Sequence, residues 1–287
     1  MNGSNLKANF KIFTLLSVLT GLFLGAGIII GGRSGMVIAF FFAALMNIGS
    51  YWYSDKLVLK MYGAEEISEE QNQEIHRMVE ELSREAGIPK PRVFKTDMQT
   101  PNAFATGRNP EKGVVCVTTG LMQTLESEEI RGVIAHELAH IENRDTLVNS
   151  VVATIAGAIG MLAELAFWGA MFGGREEESE MISALALMIL VPIISTLIRT
   201  AVSRSMEFRA DSDAVKLTND RKGLSSALQK INSAAKKGTG RRHNSRAQEA
   251  GANLFIENPF SSDSITKWFS THPPLEERLS NIEDTEI

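Results

Sequence analysis

The sequence is short of cysteine and has no excess of basic residues. Cys116 is the single cysteine among 287 residues, so the chain cannot form an intrachain disulfide, and we expect this side chain to be a small buried apolar group. The formal net charge of −5 argues against a nucleic-acid-binding surface, which normally carries a basic excess or stripe. With 44% hydrophobic and 22% charged residues, the chain is also not disordered.

Charge is nearly absent from four long stretches. They cover residues 12–32, 34–54, 146–174 and 181–198, and of the 29 basic and 34 acidic residues only Glu164 lies within them. Because about 20 apolar residues suffice to cross the hydrocarbon core of a bilayer, these stretches predict about four transmembrane helices. The mean hydropathy of −0.02 is therefore an average over apolar spans and a strongly charged remainder.

An N-terminal apolar stretch can also be a signal peptide. The stretch 12–32 is longer than the apolar region of a typical signal peptide, and a second stretch of the same length follows directly after Arg33. We therefore predict a transmembrane hairpin over residues 1–54. The two later stretches predict a second hairpin over 146–198. The alternative is a buried or re-entrant pair that does not cross the membrane.

The distribution of Lys and Arg predicts the orientation of these hairpins, because cytoplasmic loops carry the excess of positive charge. The loops inside the two pairs contain only Arg33 and Arg175. The basic residues at the outer ends are Lys7, Lys11, Lys56, Lys60, Arg131, Arg144, Arg199, Arg204 and Arg209. Both termini and both polar parts, 55–145 and 199–287, are therefore predicted to lie in the cytoplasm.

The polar parts combine helices with a small sheet. An apolar stripe over 64–87 predicts an amphipathic helix, and the segments 91–97 and 113–119 predict two strands. A further amphipathic helix is expected to begin with Ser127 as its N-cap and to run into the third apolar stretch. The predicted fold class is α+β and mostly helical, in an integral membrane protein with a small sheet.

That last helix contains the sequence His136-Glu137-Leu138-Ala139-His140. Histidines four residues apart share one face of a helix, so both imidazoles can bind one zinc ion. Glu137 projects beside them and can accept a proton from water. The alternative is a pair of solvent-exposed or packed histidines on an amphipathic helix, but their neighbours are Ile, Val, Leu and Ala, among which unpaired imidazoles are unfavourable. We therefore predict a catalytic zinc site.

A catalytic zinc needs a third protein ligand and an open position for water. The remaining histidines, at 76, 243 and 272, and the carboxylates are candidates. Glu207 and Asp211 are four residues apart, so on a helix Glu207 can bind zinc while Asp211 hydrogen-bonds a ligating imidazole. The same spacing is also typical of a solvated acidic helix face, and the residues alone leave both interpretations open.

Three motifs in a fixed order then indicate a family. HELAH at 136–140, EFRAD at 207–211 and THPPLEERL at 271–279, together with the apolar pairs, resemble the HtpX-type bacterial membrane zinc metalloproteases. These proteases are related to the eukaryotic CAAX prenyl proteases. The resemblance covers essentially the whole chain and implies a zincin-type protease domain.

The resemblance also implies roles for individual residues. One zinc ion per subunit would be bound by His136, His140 and Glu207, with Glu137 as the catalytic base and Asp211 orienting a ligand. Residues resembling substrate or transition-state contacts of the family are Asn102, Ala103, Phe104, His272 and Arg278. The first three match a segment along the substrate cleft, where an edge strand can offer main-chain hydrogen bonds to an extended peptide.

The function implied by the resemblance is that of a zinc metalloendopeptidase in protein quality control and stress response. It would cleave misfolded or unassembled membrane proteins at the cytoplasmic face of the bacterial inner membrane. Its expected partners are protein substrates and the lipid bilayer, with no nucleic acid. Two alternatives stay open: a zinc hydrolase with a narrower substrate, such as a lipidated peptide, and a membrane-anchored zinc-binding adaptor. The adaptor would hold a structural zinc, which normally has a fourth protein ligand, often cysteine. Cys116 is the only cysteine and lies on a different element, so this alternative is disfavoured.

Overall fold

The computed structural model describes residues 3–149, 204–238 and 273–287. The chain divides into two compact units, Met1–Trp52 with Val148–Val202 and Tyr53–Leu147 with Ser203–Ile287. Several predictions fall outside the described residues: those on Glu164, on His272, on 181–198 and on 146–174 beyond residue 149. The domain boundaries drawn from the sequence stay predictions.

The first element, α1 (Gly3–Met61), turns back on itself. Gly32 has a φ of +57°, in the left-handed region that glycine adopts readily. The ring centroids of Phe23 and Phe42 are 5.3 Å apart, whereas a continuous helix would hold them about 28 Å apart. Asn47 Nδ2 donates a hydrogen bond of 3.0 Å to Thr20 Oγ1. The two apolar stretches of α1 therefore run side by side.

Many large apolar side chains of α1 are exposed. They include Phe10, Phe13, Ile28, Val37, Ile38, Phe40, Phe41, Leu45, Ile48 and Trp52. Within the part of the chain that the structure describes, Gly32–Tyr53 is the one helical stretch long and apolar enough to cross a membrane, judged by length and composition. The number of crossings stays a prediction.

A small sheet lies in the unit that contains Tyr53–Leu147. Its described strands are β1 (Glu65–Glu66), β2 (Arg92–Thr96), β3 (Ala103–Thr106) and β4 (Val114–Thr118), in the order β1-β2-β4-β3. β2 and β4 are parallel, whereas β1 pairs with β2 and β3 pairs with β4 in antiparallel register. The two predicted strands are confirmed as β2 and β4. With several helices around this sheet, the α+β and mostly helical fold class is also confirmed.

Both faces of the sheet are buried. Successive side chains of a strand alternate between faces, and β4 accordingly contributes Val115 and Val117 to the main core and Cys116 to a second cluster with Phe104 and Tyr62. All five residues of β4 are buried. Cys116 is thus the small buried apolar group that the sequence predicts, and burial raises the pKa of its thiol.

The helix predicted over 64–87 is shorter than expected. α2 spans Gln73–Glu85, and the Oδ1 atom of its N-cap, Asn72, accepts a hydrogen bond of 3.1 Å from the main-chain N–H of Ile75. The preceding residues form β1, and Ile67 N–H donates to Val93 O at 3.0 Å. The prediction of a helix from residue 64 was wrong because Ile67 reaches the same core from an extended segment that pairs with β2.

The helix that carries the HELAH motif is α4 (Ser127–Glu142). Its N-cap is Glu126, so the prediction of Ser127 as N-cap was wrong. The main-chain N–H of Glu126 donates to Glu129 Oε2 at 2.8 Å, in a capping box. Ser127 Oγ instead donates to Glu74 Oε1 at 2.6 Å, which links α4 to α2.

Four further helices are described in this unit. Their bounds are α3 (Thr119–Thr124), α5 (described over 204–218), α6 (Arg221–Gly238) and α7 (Leu275–Glu283). α6 lies so close to α4 that a Cβ added at Gly132 would be 2.9 Å from Leu224 N. Ser226 Oγ and Lys230 Nζ of α6 also donate to the carboxylate of Glu129, at 2.5 and 2.8 Å. These contacts hold α4 in a fixed position.

Candidate metal centre

Two helices bring three buried metal-ligating side chains together. His136 and His140 lie one turn apart on α4, and Glu207 lies on α5. One ligand atom from each residue lies within 4.8 Å of the others. The three residues are 1%, 8% and 2% exposed, respectively. Within the three described ranges of the chain, no other group of three or more His, Cys, Asp and Glu residues has this arrangement.

The separations of the donor atoms fit a zinc ion. The Nε2 atoms of His136 and His140 are 3.1 Å apart. Glu207 Oε2 lies 3.6 Å from His136 Nε2, and Glu207 Oε1 lies 3.4 Å from His140 Nε2. Two donors that are each about 2.1 Å from a tetrahedral ion are about 3.4 Å apart. Two imidazoles and one carboxylate also form a donor set typical of catalytic zinc, with the fourth position left for water.

Asp211 and Arg278 lie on the Nδ1 side of the His136 ring. Asp211 Oδ1 is 3.0 Å from His136 Nδ1. Arg278 in turn donates to both oxygens of Asp211, at 2.6 and 2.9 Å, and its Nη1 lies 3.7 Å from Glu207 Oε2. The resemblance implies that Arg278 is a substrate or transition-state contact together with His272, which lies outside the described residues. The structure places its guanidinium, fully buried, against the carboxylates of the metal centre.

Asp145 and Arg209 lie behind His140 in a similar way. Asp145 Oδ2 is 3.1 Å from His140 Nδ1, and Arg209 Nη2 donates to Asp145 Oδ1 at 2.6 Å. With the Nδ1 atom of each histidine facing a carboxylate, the Nε2 atoms of both rings turn toward Glu207. Hydrogen bonding of the outer nitrogen is the usual way in which proteins orient a metal-binding imidazole.

The sequence patterns do not predict the roles of Asp145 and Arg209. From the sequence, Arg209 is a basic residue that indicates membrane orientation and the central residue of the EFRAD motif, without a role of its own. Asp145 lies in a helix that is expected to continue into the third apolar stretch. That expectation was wrong, because α4 ends at Glu142 and a turn at residues 143–144 precedes the next helical residues. Asn143, a residue type common at helix C-termini, is the local sequence signal that could have indicated the end of α4 before Asp145.

Glu137 follows His136 directly on α4. Its carboxylate accepts a hydrogen bond from the main-chain N–H of Ala105 in β3. Glu137 is 4% exposed, and this burial raises the pKa of its carboxyl. A carboxyl with a raised pKa beside a metal centre is suited to accept and hold a proton near neutral pH.

The electrostatics of the site favour positive charge between the rings. Burial alone would lower the pKa values of His136 and His140. The nearby carboxylates of Asp211 and Glu207 outweigh burial for His136, and those of Asp145 and Glu207 outweigh it for His140, so both pKa values are raised. The carboxylates that raise these two pKa values would also stabilise a divalent cation bound between the rings.

The predicted substrate contacts Asn102, Ala103 and Phe104 are buried at the start of β3, with exposed fractions of 1%, 0% and 0%. Asn102 Oδ1 accepts a hydrogen bond of 2.8 Å from Ala103 N–H. Phe104 packs against Tyr62, with ring centroids 5.3 Å apart. These side chains stabilise the sheet, so any contact with a substrate at this position would involve the backbone.

One edge of β3 is not paired with another described strand. Thr118 N–H donates to Asn102 O at 3.0 Å, which marks these two residues as a hydrogen-bonded pair. Because hydrogen-bonded and non-hydrogen-bonded pairs alternate along an antiparallel ladder, the main-chain groups of Ala103 and Ala105 point away from β4. The hydrogen bond from Ala105 N–H to Glu137 agrees with this direction.

A HExxH helix and a glutamate from a second helix, set beside a sheet edge, form the arrangement of a metal-dependent peptidase. The pattern of peptidase family M48 matches residues 69–286. The chain therefore belongs to peptidase family M48.

Similar proteins cover nearly the whole chain. A protease HtpX homologue from Persephonella marina is 50% identical over 281 residues, which are 95% of each chain. Another from Pyrococcus furiosus is 46% identical over 271 residues, 93% of this chain and 92% of its own. The resemblance to HtpX-type proteases is thus confirmed. The crystal structure of S. mikatae Ste24p is similar in fold, with a TM-score of 0.54 and 18% identity over 98% of this chain and 66% of that chain.

Proposed function

We propose that this chain is a zinc-dependent endopeptidase. The observation that carries the proposal is the buried group of His136, His140 and Glu207, with Glu137 next to it, in a member of a peptidase family. The donor types and their separations suit zinc, as described above. Glu137 is the proposed base, and Asp211 is proposed to orient His136.

When bound by these three residues, zinc would polarise the scissile carbonyl and lower the pKa of water. Glu137 would accept a proton from the attacking water at its carboxylate and pass that proton to the leaving amine. The burial that raises the pKa of Glu137 favours the protonated form that must exist between the two transfers. His272, which the resemblance implies is a substrate or transition-state contact, is proposed to donate a hydrogen bond to the developing oxyanion.

A substrate peptide is proposed to bind as an additional strand along β3. The main-chain carbonyl groups of Ala103 and Ala105 point away from β4 and can accept hydrogen bonds from a peptide on this edge. The two N–H groups donate to Asn102 Oδ1 and to the carboxylate of Glu137, respectively. A peptide on this edge would lie next to the base with its backbone held in an extended conformation. Recognition through the backbone is compatible with many substrate sequences, as a protease of misfolded proteins requires.

We infer that the enzyme works at a membrane, with its active site on the cytoplasmic side and misfolded or unassembled membrane proteins as substrates. The exposed apolar side chains of α1 and the apolar stretch Gly32–Tyr53 support the membrane location. The basic residues at the outer ends of the apolar stretches support the cytoplasmic orientation. A role in quality control of the bacterial inner membrane rests on the resemblance to HtpX-type proteases.

The test is the substitution Glu137→Gln in the full-length protein, purified in detergent and loaded with zinc. Removal of a general base typically lowers the rate by about 100- to 10,000-fold, while the zinc content should stay at one ion per chain. Glu142→Gln is the matched control, because Glu142 lies on the same helix and is exposed.

Cleavage is followed on a panel of unfolded soluble proteins, membrane proteins and lipidated peptides. Cleavage by Glu137→Gln at more than a tenth of the unmodified rate would contradict the assignment of the base. Cleavage confined to lipidated peptides would replace the proposed substrate class. Tight zinc binding without cleavage of any panel member would favour the adaptor.

A further inference from the structure

We propose that Asp145 is the positioning residue for His140 and that Arg209 holds Asp145 in place. This inference rests on the proposed zinc site, because it concerns how one of its ligands is oriented. Neither the HELAH spacing nor the position of Glu207 on α5 predicts a role for these two residues.

The distances support a continuous chain of contacts. His140 Nδ1 lies 3.1 Å from Asp145 Oδ2, and the other oxygen of Asp145 accepts a hydrogen bond of 2.6 Å from Arg209. Asp145 is 1% exposed, so its carboxylate has little access to water. A carboxylate in this position keeps a proton on Nδ1 and leaves the lone pair of Nε2 free for a metal ion.

A turn in the backbone between His140 and Asp145 makes this contact possible. In a continuous helix, a residue five positions after His140 would lie about 140° around the helix axis from it. α4 instead ends at Glu142, and Arg144 has a φ of 60°, a left-handed conformation that is uncommon for a residue other than glycine. This turn brings Asp145 back toward His140, within hydrogen-bonding distance of Nδ1.

Arg209 connects this contact to the helix of the third ligand. It lies two residues after Glu207 and two before Asp211 on α5. Its salt bridge with Asp145 therefore joins the end of α4 to the helix that carries Glu207. Since His136 and His140 are on α4, this bridge links both histidines to the third ligand.

The two histidines differ in how deeply their partners are buried. The Asp211–Arg278 pair behind His136 has no exposed side-chain surface, whereas the side chain of Arg209 is 42% exposed. An ion pair with a solvent-exposed partner is screened by water and contributes little. We therefore expect Asp145 to matter more than Arg209 for the orientation of His140.

The experiment measures zinc affinity directly, in the full-length protein in detergent, by competition with a chromophoric chelator. Asp145→Ala should weaken zinc binding by about 10- to 100-fold, the usual effect of losing the partner of a metal-binding histidine. Asp145→Asn, which keeps an oxygen that can accept from Nδ1, should recover most of this loss. Arg209→Ala should weaken binding by less than Asp145→Ala, and Arg209→Lys should be close to the unmodified protein. The visible spectrum of the cobalt(II)-substituted protein should change for Asp145→Ala, because a reoriented imidazole alters the ligand field.

Asp213→Ala is the matched control. Asp213 Oδ2 accepts a hydrogen bond of 3.0 Å from Asn143 Nδ2, so it joins the same two segments without touching a histidine. Zinc affinity and the cobalt spectrum should be unchanged in this variant. An equal loss for Asp213→Ala and Asp145→Ala would assign the effect to packing of the segments and overturn the proposal. Unchanged affinity in Asp145→Ala would overturn it as well, whereas absence of zinc binding in the unmodified protein would overturn the proposed zinc site itself.

Discussion

Replacing Arg278 with alanine should destabilise the protein strongly. The side chains of Arg278 and Asp211 have no exposed surface, and Arg278 donates to Asp211 at 2.6 and 2.9 Å. Without the guanidinium, the carboxylate of Asp211 would stay buried without these two hydrogen bonds. Removal of one partner of a buried ion pair costs about 3–5 kcal/mol. The reason is the uncompensated buried charge that is left behind.

This free energy corresponds to a large thermal shift. For 150–250 residues, 1 kcal/mol lowers the unfolding midpoint by about 2–4 °C, so Arg278→Ala should lower it by about 6–20 °C. The assay is circular dichroism of the metal-free protein in detergent, in which a change of zinc affinity cannot contribute.

Arg77→Ala is the control for this prediction. Arg77 lies 3.8 Å from Glu81 on α2, with 72% of its side chain exposed, so its loss should cost at most about 1 kcal/mol. The double variant Asp211→Asn with Arg278→Met should recover part of the loss, because it removes the unpaired charge. If the midpoint of Arg278→Ala lay within about 3 °C of that of Arg77→Ala, the reasoning from the buried pair would be refuted.

Two further predictions concern the contacts between α4 and α6. Gly132→Ala should destabilise the protein by about 1–3 kcal/mol, because the new Cβ would meet the backbone of Leu224 at 2.9–3.0 Å; an unchanged urea midpoint would contradict this close approach. Although burial raises the pKa of Glu129, hydrogen bonds from Lys230 and Ser226 outweigh burial and lower it. A lowered pKa stabilises the folded state above the ordinary glutamate pKa of about 4.3, and this stabilisation is lost as the pH falls through the lower folded value. The unmodified protein should therefore lose more stability than Glu129→Gln between pH 6 and about pH 3, and parallel pH profiles would contradict this.

Local patterns predicted the elements that depend on nearby residues. The β-branched segments 91–97 and 113–119 contain the observed β2 and β4, and the apolar stripe around HELAH corresponds to α4. The start of α2 was predicted wrongly because an apolar residue at helical spacing, Ile67, belongs to a segment that pairs with β2. Helical periodicity cannot distinguish Ile67 in a helix from Ile67 in an extended segment, because both place its side chain in the core.

The sequence indicates most of the residues of the candidate site, but it does not predict how they come together in space. The sequence determined that His136 and His140 share one face of a helix, because a spacing of four residues is a local property of the helix. Only the tertiary structure brought Glu207, Asp211 and Arg278 to that face, since their chain separations of about 70 to 140 residues are bridged by packing of α5 and α7 and not by any periodicity. The tertiary structure likewise decided the position of Asp145, because a left-handed turn at Arg144 reverses the direction that a continuous helix would have given its side chain.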